Sequence, residues 1–135
     1  MHQIVVKYEG DLRTRARHLK SGNEIVTDAP IDNHGKGEAF SPTDLASAAL
    51  ASCILTIMGI VGERGGMELK GTRAEVTKDM SQNPRRISSI HVKIYFKINF
   101  SDKQKKILEK AAHSCPVHHS LHTDMQKEII FNYPN

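Results

Sequence analysis

The sequence has no tryptophan, and Phe and Tyr together supply only 5% of its 135 residues. A core must therefore be built from Ile, Leu, Val, Ala and Met, and a hydrophobic share of 39% in a chain of single-domain length suffices for one. Only two cysteines are present, Cys53 and Cys115, 62 residues apart. That excludes a disulfide framework and a local CxxC pair. The N-terminal residues show no basic segment followed by an apolar run, so no signal peptide is expected. We therefore expect reduced thiols and a cytoplasmic protein.

Long hydrophobic runs are also missing. The longest apolar stretch, 45–61, is interrupted by Ser47, Ser52 and Thr56 and falls short of the ~20 strongly apolar residues of a membrane span. It reads as a buried helix, with no membrane partner. The net charge is +4, but Lys and Arg are dispersed and have no interleaved aromatics for base stacking. A nucleic-acid partner is therefore not expected. Lys103, Lys105 and Lys106 sit beside Asp102 and Glu109 and read as a solvated helix face. No repeat or low-complexity segment breaks the chain, so residues 1–135 are expected to form a single domain.

What is present is clear periodicity. Residues 4–8 read as a strand, and 12–19 alternate with the period of a strand with one wet face. Ser21-Gly22-Asn23 makes a hairpin turn into a third strand at 24–27. Ser41-Pro42-Thr43-Asp44 is a helix start: a capping serine, a proline at the first helical position and a carboxylate three residues after the cap. The helix should run to about Arg64 and stop at Gly65-Gly66. Being apolar nearly all round, it should be central and buried. Strands are predicted over 67–80 and 86–100, the latter with Ile90, Val92, Ile94, Phe96 and Ile98 on one face. A helix capped by Ser101 follows through about His113, with Ile107, Leu108, Ala111 and Ala112 on its core face. A short helix opens at Cys115-Pro116, and a last strand covers 125–133. Short hairpin links make the fold α+β with mostly antiparallel pairing.

The two cysteines differ in setting. Cys53 lies mid-helix among Ala46, Ala49, Leu50, Ile57 and Ile60. From position alone it reads as a core residue, and apolar burial makes a thiol inert. It becomes a nucleophile only if a cation approaches from elsewhere. Cys115 precedes Pro116 at a helix N-terminus, where unpaired N–H groups favour thiolate. His113, His118, His119 and His122 surround it in sequence. Cys115 with His118 or His119 has metal-ligand spacing, but no second cluster completes a site, so neither metal nor cofactor is expected. If the two thiols meet in space, a thiolate can attack a peroxide O–O bond and the second thiol can close a disulfide, which a cellular dithiol then reduces.

Residues 40–53, Phe-Ser-Pro-Thr-Asp-Leu-Ala-Ser-Ala-Ala-Leu-Ala-Ser-Cys, resemble the first cysteine motif of the OsmC/Ohr family, and Cys-Pro-Val-His-His-Ser-Leu, residues 115–121, the second. Their order and separation also match, and the resemblance spans essentially the whole chain. It implies an OsmC-like α+β fold with long central helices between curved sheets, and an intertwined homodimer with two sites at its interface. It also implies reduction of small organic hydroperoxides, with Cys53 peroxidatic, Cys115 resolving and a dithiol, a lipoyl-type one among them, as reductant. An N-terminal arginine holds the first thiolate in the family. Counting back from Ser21-Gly22, Arg13 matches best, with Arg15 and Arg17 available if the register slips. Peroxidase members of the family carry a glutamate directly after the motif proline, paired with that arginine. Here the position is Thr43, and the carboxylate is Asp44. One residue turns a helix by about 100°, so Asp44 is a candidate both for the site and for the helix N-terminus alone. Leu50, Ile57 and Met58 are the expected substrate pocket. The alternative reading is a non-enzymatic dimeric module that binds a small apolar ligand there, with redox-sensing cysteines. A metal-binding protein built on Cys115 and its histidines is a third.

Overall fold

The computed structural model describes residues 2–135. The elements are β1 (Ile4–Gly10), β2 (Arg13–His18), β3 (Glu24–Asp28), α1 (Pro42–Gly65), β4 (Arg73–Ser81), β5 (Arg86–Tyr95), α2 (Asp102–Ala112), α3 (Pro116–Ser120) and β6 (Gln126–Asn132), with a single 3₁₀ turn at Ile31–Asn33. The chain divides into two compact units, Met1–Ala46 and Ser47–Asn135.

The first unit is an antiparallel meander in the order β1-β2-β3. The expected turn joins β2 to β3. His18 N–H donates to the Asn23 carbonyl at 2.8 Å, and Gly22 takes a φ of +75°, a conformation that glycine adopts without a Cβ clash. The register then runs from Arg17 opposite Glu24 to Arg13 opposite Asp28. Beyond β3, Asp28 N–H donates to the Phe40 carbonyl at 3.0 Å, which returns the intervening loop to the strand. Ile4, Val6 and Tyr8 alternate onto one face of β1, and all three are exposed, as is Ile25 on β3. At the start of α1, Asp44 N–H donates to Ser41 Oγ and Ser41 N–H to Asp44 Oδ2, both at 3.0 Å. These two bonds form a reciprocal capping box.

The second unit holds most of the apolar core. The far end of α1 closes as expected: Gly66 is left-handed (φ +68°), and Met67 N–H donates to the Gly62 carbonyl at 2.8 Å, the long bond of a Schellman cap. Contrary to the all-round burial expected, α1 buries one stripe only, Ser47, Leu50, Ala51, Ile54, Met58 and Gly62. These residues recur at three- and four-residue steps, one face of a helix. Ala49, Ser52, Thr56 and Ile60 on the rest of α1 are exposed. By length and composition α1 would also suit a membrane span. In this fold Leu50, Ile54 and Met58 have no exposed surface, and they share the core with Ile90, Val92 and Ile94 of β5 and Leu108 and Ala112 of α2. Each Leu, Ile, Val or Met side chain among them contributes about 1.5–3 kcal/mol by leaving water.

Two strand limits differ from the sequence expectation. β4 begins at Arg73 rather than Met67 because Thr72 N–H closes a turn on the Leu69 carbonyl at 2.9 Å. β5 ends at Tyr95, beyond which Phe96 stacks on Tyr133 with centroids 4.5 Å apart, and Ile98 is exposed. The second sheet has the order β4-β5-β6. β4 pairs with β5 antiparallel, whereas β5 pairs with β6 in parallel. The parallel pair qualifies the expectation of mostly antiparallel pairing. Its cause is the connection: α2 and α3 lie between β5 and β6 and carry the chain back to the other end of the sheet, a crossover that parallel strands require.

Candidate active site

Cys53 lies on α1 and Cys115 immediately before α3, both in the second unit. Cys115 is the N-cap of α3. Its Sγ accepts the His118 N–H at 3.3 Å, and Pro116 occupies the first helical position. The fold makes the two cysteines neighbours: Cys53 is close enough to Cys115 to act on its ionisation. Both cysteines are free thiols; Cys53 is half-buried and Cys115 has no exposed surface.

This geometry reverses the electrostatic expectation for Cys115. Its surroundings in sequence suggest an activated thiolate, yet burial pushes its thiol pKa up, and the neighbouring Cys53 thiol pushes it further in the same direction. The N–H groups of His118 and Val117 pull the other way and are outweighed. Cys115 is therefore held as the neutral thiol at neutral pH. Desolvation wins because α3 has only five residues and its first N–H groups offer a weak counterweight to complete burial.

The histidines gather at the same end of the unit. Ring centroids are 6.1 Å apart for His113 and His118, and 5.7 Å for His118 and His119. Burial lowers the pKa of His118, helped by Lys127, His113 and His119, so its imidazole is neutral. Among the described residues, no group of three or more His, Cys, Asp or Glu side chains has an arrangement that would hold a metal ion. Of the three pocket residues expected, Leu50 and Met58 are core side chains without exposed surface, and Ile57 is half-buried.

The first unit holds the other two candidates. Arg13 makes a bidentate pair with Asp28, Nε to Oδ1 at 2.7 Å and Nη2 to Oδ2 at 2.8 Å, and Nη2 also reaches Glu38 Oε1 at 3.2 Å. The Asp28 side chain is completely buried, and its Oδ2 also accepts the Glu38 N–H at 3.1 Å. Arg13 holds the Asp28 carboxyl below the usual carboxylate range, and Asp28 in turn raises the arginine. Arg15 pairs instead with Glu9 and Glu24, and Arg17 with Glu24. Asp44, the sequence candidate for the arginine's partner, gives its carboxylate to the start of α1 through the Ser41 N–H. Asp28 and Glu38 were not anticipated. Asp28 was within reach: the hairpin turn at Gly22 fixes the register that sets it opposite Arg13.

Residues 35–129 match the family model described as OsmC-like protein. The chain belongs to the OsmC-like family. A candidate osmotic-stress-induced and detoxification-response protein from Psychrobacter arcticus 273-4 is 52% identical, with 97% of this chain and 96% of that one covered and a TM-score of 0.94. The OsmC-like fold also recurs at low identity. An organic hydroperoxide resistance protein, OsmC, from Legionella pneumophila has a TM-score of 0.76 at 14% identity, over 98% of both chains. A candidate organic hydroperoxide resistance protein from Vibrio cholerae, with captopril bound in one of its active sites, has a TM-score of 0.75 at 18% identity, over 98% of this chain and 92% of that one. None of the curated proteins matches the sequence. The family match covers both cysteines and Asp44 but begins after Arg13.

Proposed function

We propose that this OsmC-like protein is a thiol-dependent peroxidase that reduces small organic hydroperoxides through Cys53 and Cys115, as part of oxidative-stress defence in the cytoplasm. The observation that carries the reading is the neighbouring pair of free thiols, with Cys53 half-buried and Cys115 without exposed surface. The partial exposure of Cys53 and the complete burial of Cys115 suit Cys53 as attacking thiol and Cys115 as resolving thiol.

The Cys53 thiolate attacks the O–O bond, takes one oxygen as sulfenic acid and releases the alkoxide, which leaves as the alcohol on protonation. The Cys115 thiol then attacks the sulfenic sulfur, a disulfide forms and water departs. Its proton needs an acceptor, and the hydroxide leaving the sulfenic acid supplies one. A dithiol, lipoyl-type or similar, then reduces the disulfide by exchange and is itself oxidised. In this reading Arg13 supplies the cation that serves the Cys53 thiolate, and Asp44 contributes by fixing the start of the helix that carries Cys53. Ile57, one turn beyond Cys53 on α1, lines the substrate pocket.

A homodimer is part of the proposal. The exposed side chains of β1 and β3 and the exposed small residues of α1 are surfaces that a second copy of the chain would cover. The test is consumption of cumene hydroperoxide with a dithiol donor. Wild type should turn over and Cys53→Ser should not. No consumption by wild type with any dithiol would overturn the reading.

A further inference from the structure

Arg13 offers a guanidinium whose orientation is set by one edge. Nε and Nη2 are taken by Asp28, while Nη1 takes part in neither acid pair. A planar guanidinium held by two parallel bonds cannot swing without losing both. The holding group is itself held: Asp28 is completely buried, and its Oδ2 accepts the Glu38 N–H. Glu38, by contrast, is exposed and makes a single, longer bond to Arg13. The two positions after the motif proline offer no alternative carboxylate. Position 43 is a threonine, its Oγ1 3.2 Å from Ser41 Oγ, and Asp44 closes the capping box.

We propose that Asp28 is the positioning carboxylate for Arg13, standing in for the glutamate that position 43 lacks. Asp28 touches no reacting atom; it sets the direction of the arginine edge that remains. The proposal rests on the reading that Arg13 serves the Cys53 thiolate, but it can be tested without any peroxide.

The experiment is alkylation of Cys53 by iodoacetamide at pH 7 in a Cys115→Ser background, with folding checked by circular dichroism. Arg13→Ala should slow alkylation about tenfold, the effect of moving a thiol's ionisation by one unit when a neighbouring cation is lost. Asp28→Asn should slow it in the same direction. The sign decides the matter. If Asp28 acted only as a nearby negative charge, its removal would favour thiolate and speed alkylation. If it were only structural, a folded variant would alkylate at the parent rate. Either result in folded Asp28→Asn, or no effect of Arg13→Ala, overturns the proposal. Should Asp28→Asn fail to fold, Arg13→Lys keeps the charge but cannot form the fork; slowed alkylation supports the proposal and the parent rate overturns it. If wild type consumes no hydroperoxide while these variants slow alkylation, the peroxidase reading falls and the positioning role stands.

Discussion

Oxidation of the thiol pair should stabilise the protein, and the size of the effect follows from where the cysteines lie. A Cys53–Cys115 bond closes a loop of about 62 residues. Loop-closure entropy for that length removes about 4 kcal/mol of freedom from the unfolded chain. The sulfurs must approach to about 2.05 Å, so side-chain adjustment subtracts from that figure. For 135 residues the unfolding entropy is near 0.28 kcal/mol/K, so 4 kcal/mol raises the melting temperature by roughly 15 °C at most. The assay is differential scanning calorimetry on reduced protein and on protein treated with one equivalent of cumene hydroperoxide. Non-reducing mass spectrometry would verify an intramolecular bond. Cys53→Ser should show no shift under the same treatment. Equal melting temperatures for verified reduced and disulfide forms would refute the reasoning, because they would mean that closing the bond strains the fold by as much as it constrains the unfolded chain.

Other outcomes follow from the same geometry. Cys115→Ser should still be oxidised once at Cys53, giving a sulfenic acid that dimedone traps, and wild type should yield little dimedone adduct because Cys115 consumes the intermediate. Ser41→Ala should cost about 1 kcal/mol in urea unfolding, since it removes the oxygen that accepts the Asp44 N–H at the start of α1. His91 on β5 sits between Glu128 of β6 and Asp79 of β4, 3.1 Å from each, and both partners raise its pKa, Glu128 first. A raised folded-state value means that its contribution is fully present below the unfolded value of about 6.5 and is lost as pH rises through the folded value. Stability measured from pH 6 upward should therefore fall more steeply in wild type than in His91→Ala; parallel curves would count against the pair.

Much of the fold was legible because it rests on local signals. The alternation of β5 placed Ile90, Val92, Ile94 and Phe96 in the core, and Ser41 and Gly66 close α1 by the chemistry their positions announce. The limits of β4 and β5 were not legible, because they depend on a turn at Leu69–Thr72 and on an aromatic stack with Tyr133, a residue far along the chain. The half-open state of α1 was missed for a related reason. Apolar and small residues all round a helix announce burial, but not which face the rest of the fold covers.

The cysteines mark where local reading fails. A helix N-terminus lowers a thiol's pKa and burial raises it, and sequence displays only the first of these. At Cys115 the second wins, because no part of the side chain reaches solvent and the thiol faces another sulfur. The arginine illustrates the opposite case. Near the proline of the first cysteine motif the chain offers Arg13 only Thr43 and a committed Asp44. The hairpin register already set Asp28 across from Arg13. A buried aspartate paired to an arginine across two strands leaves no periodic trace, yet it is recovered by counting outward from the turn. Ion pairs across a hairpin are thus readable wherever the turn is unambiguous, as Gly22 makes it here.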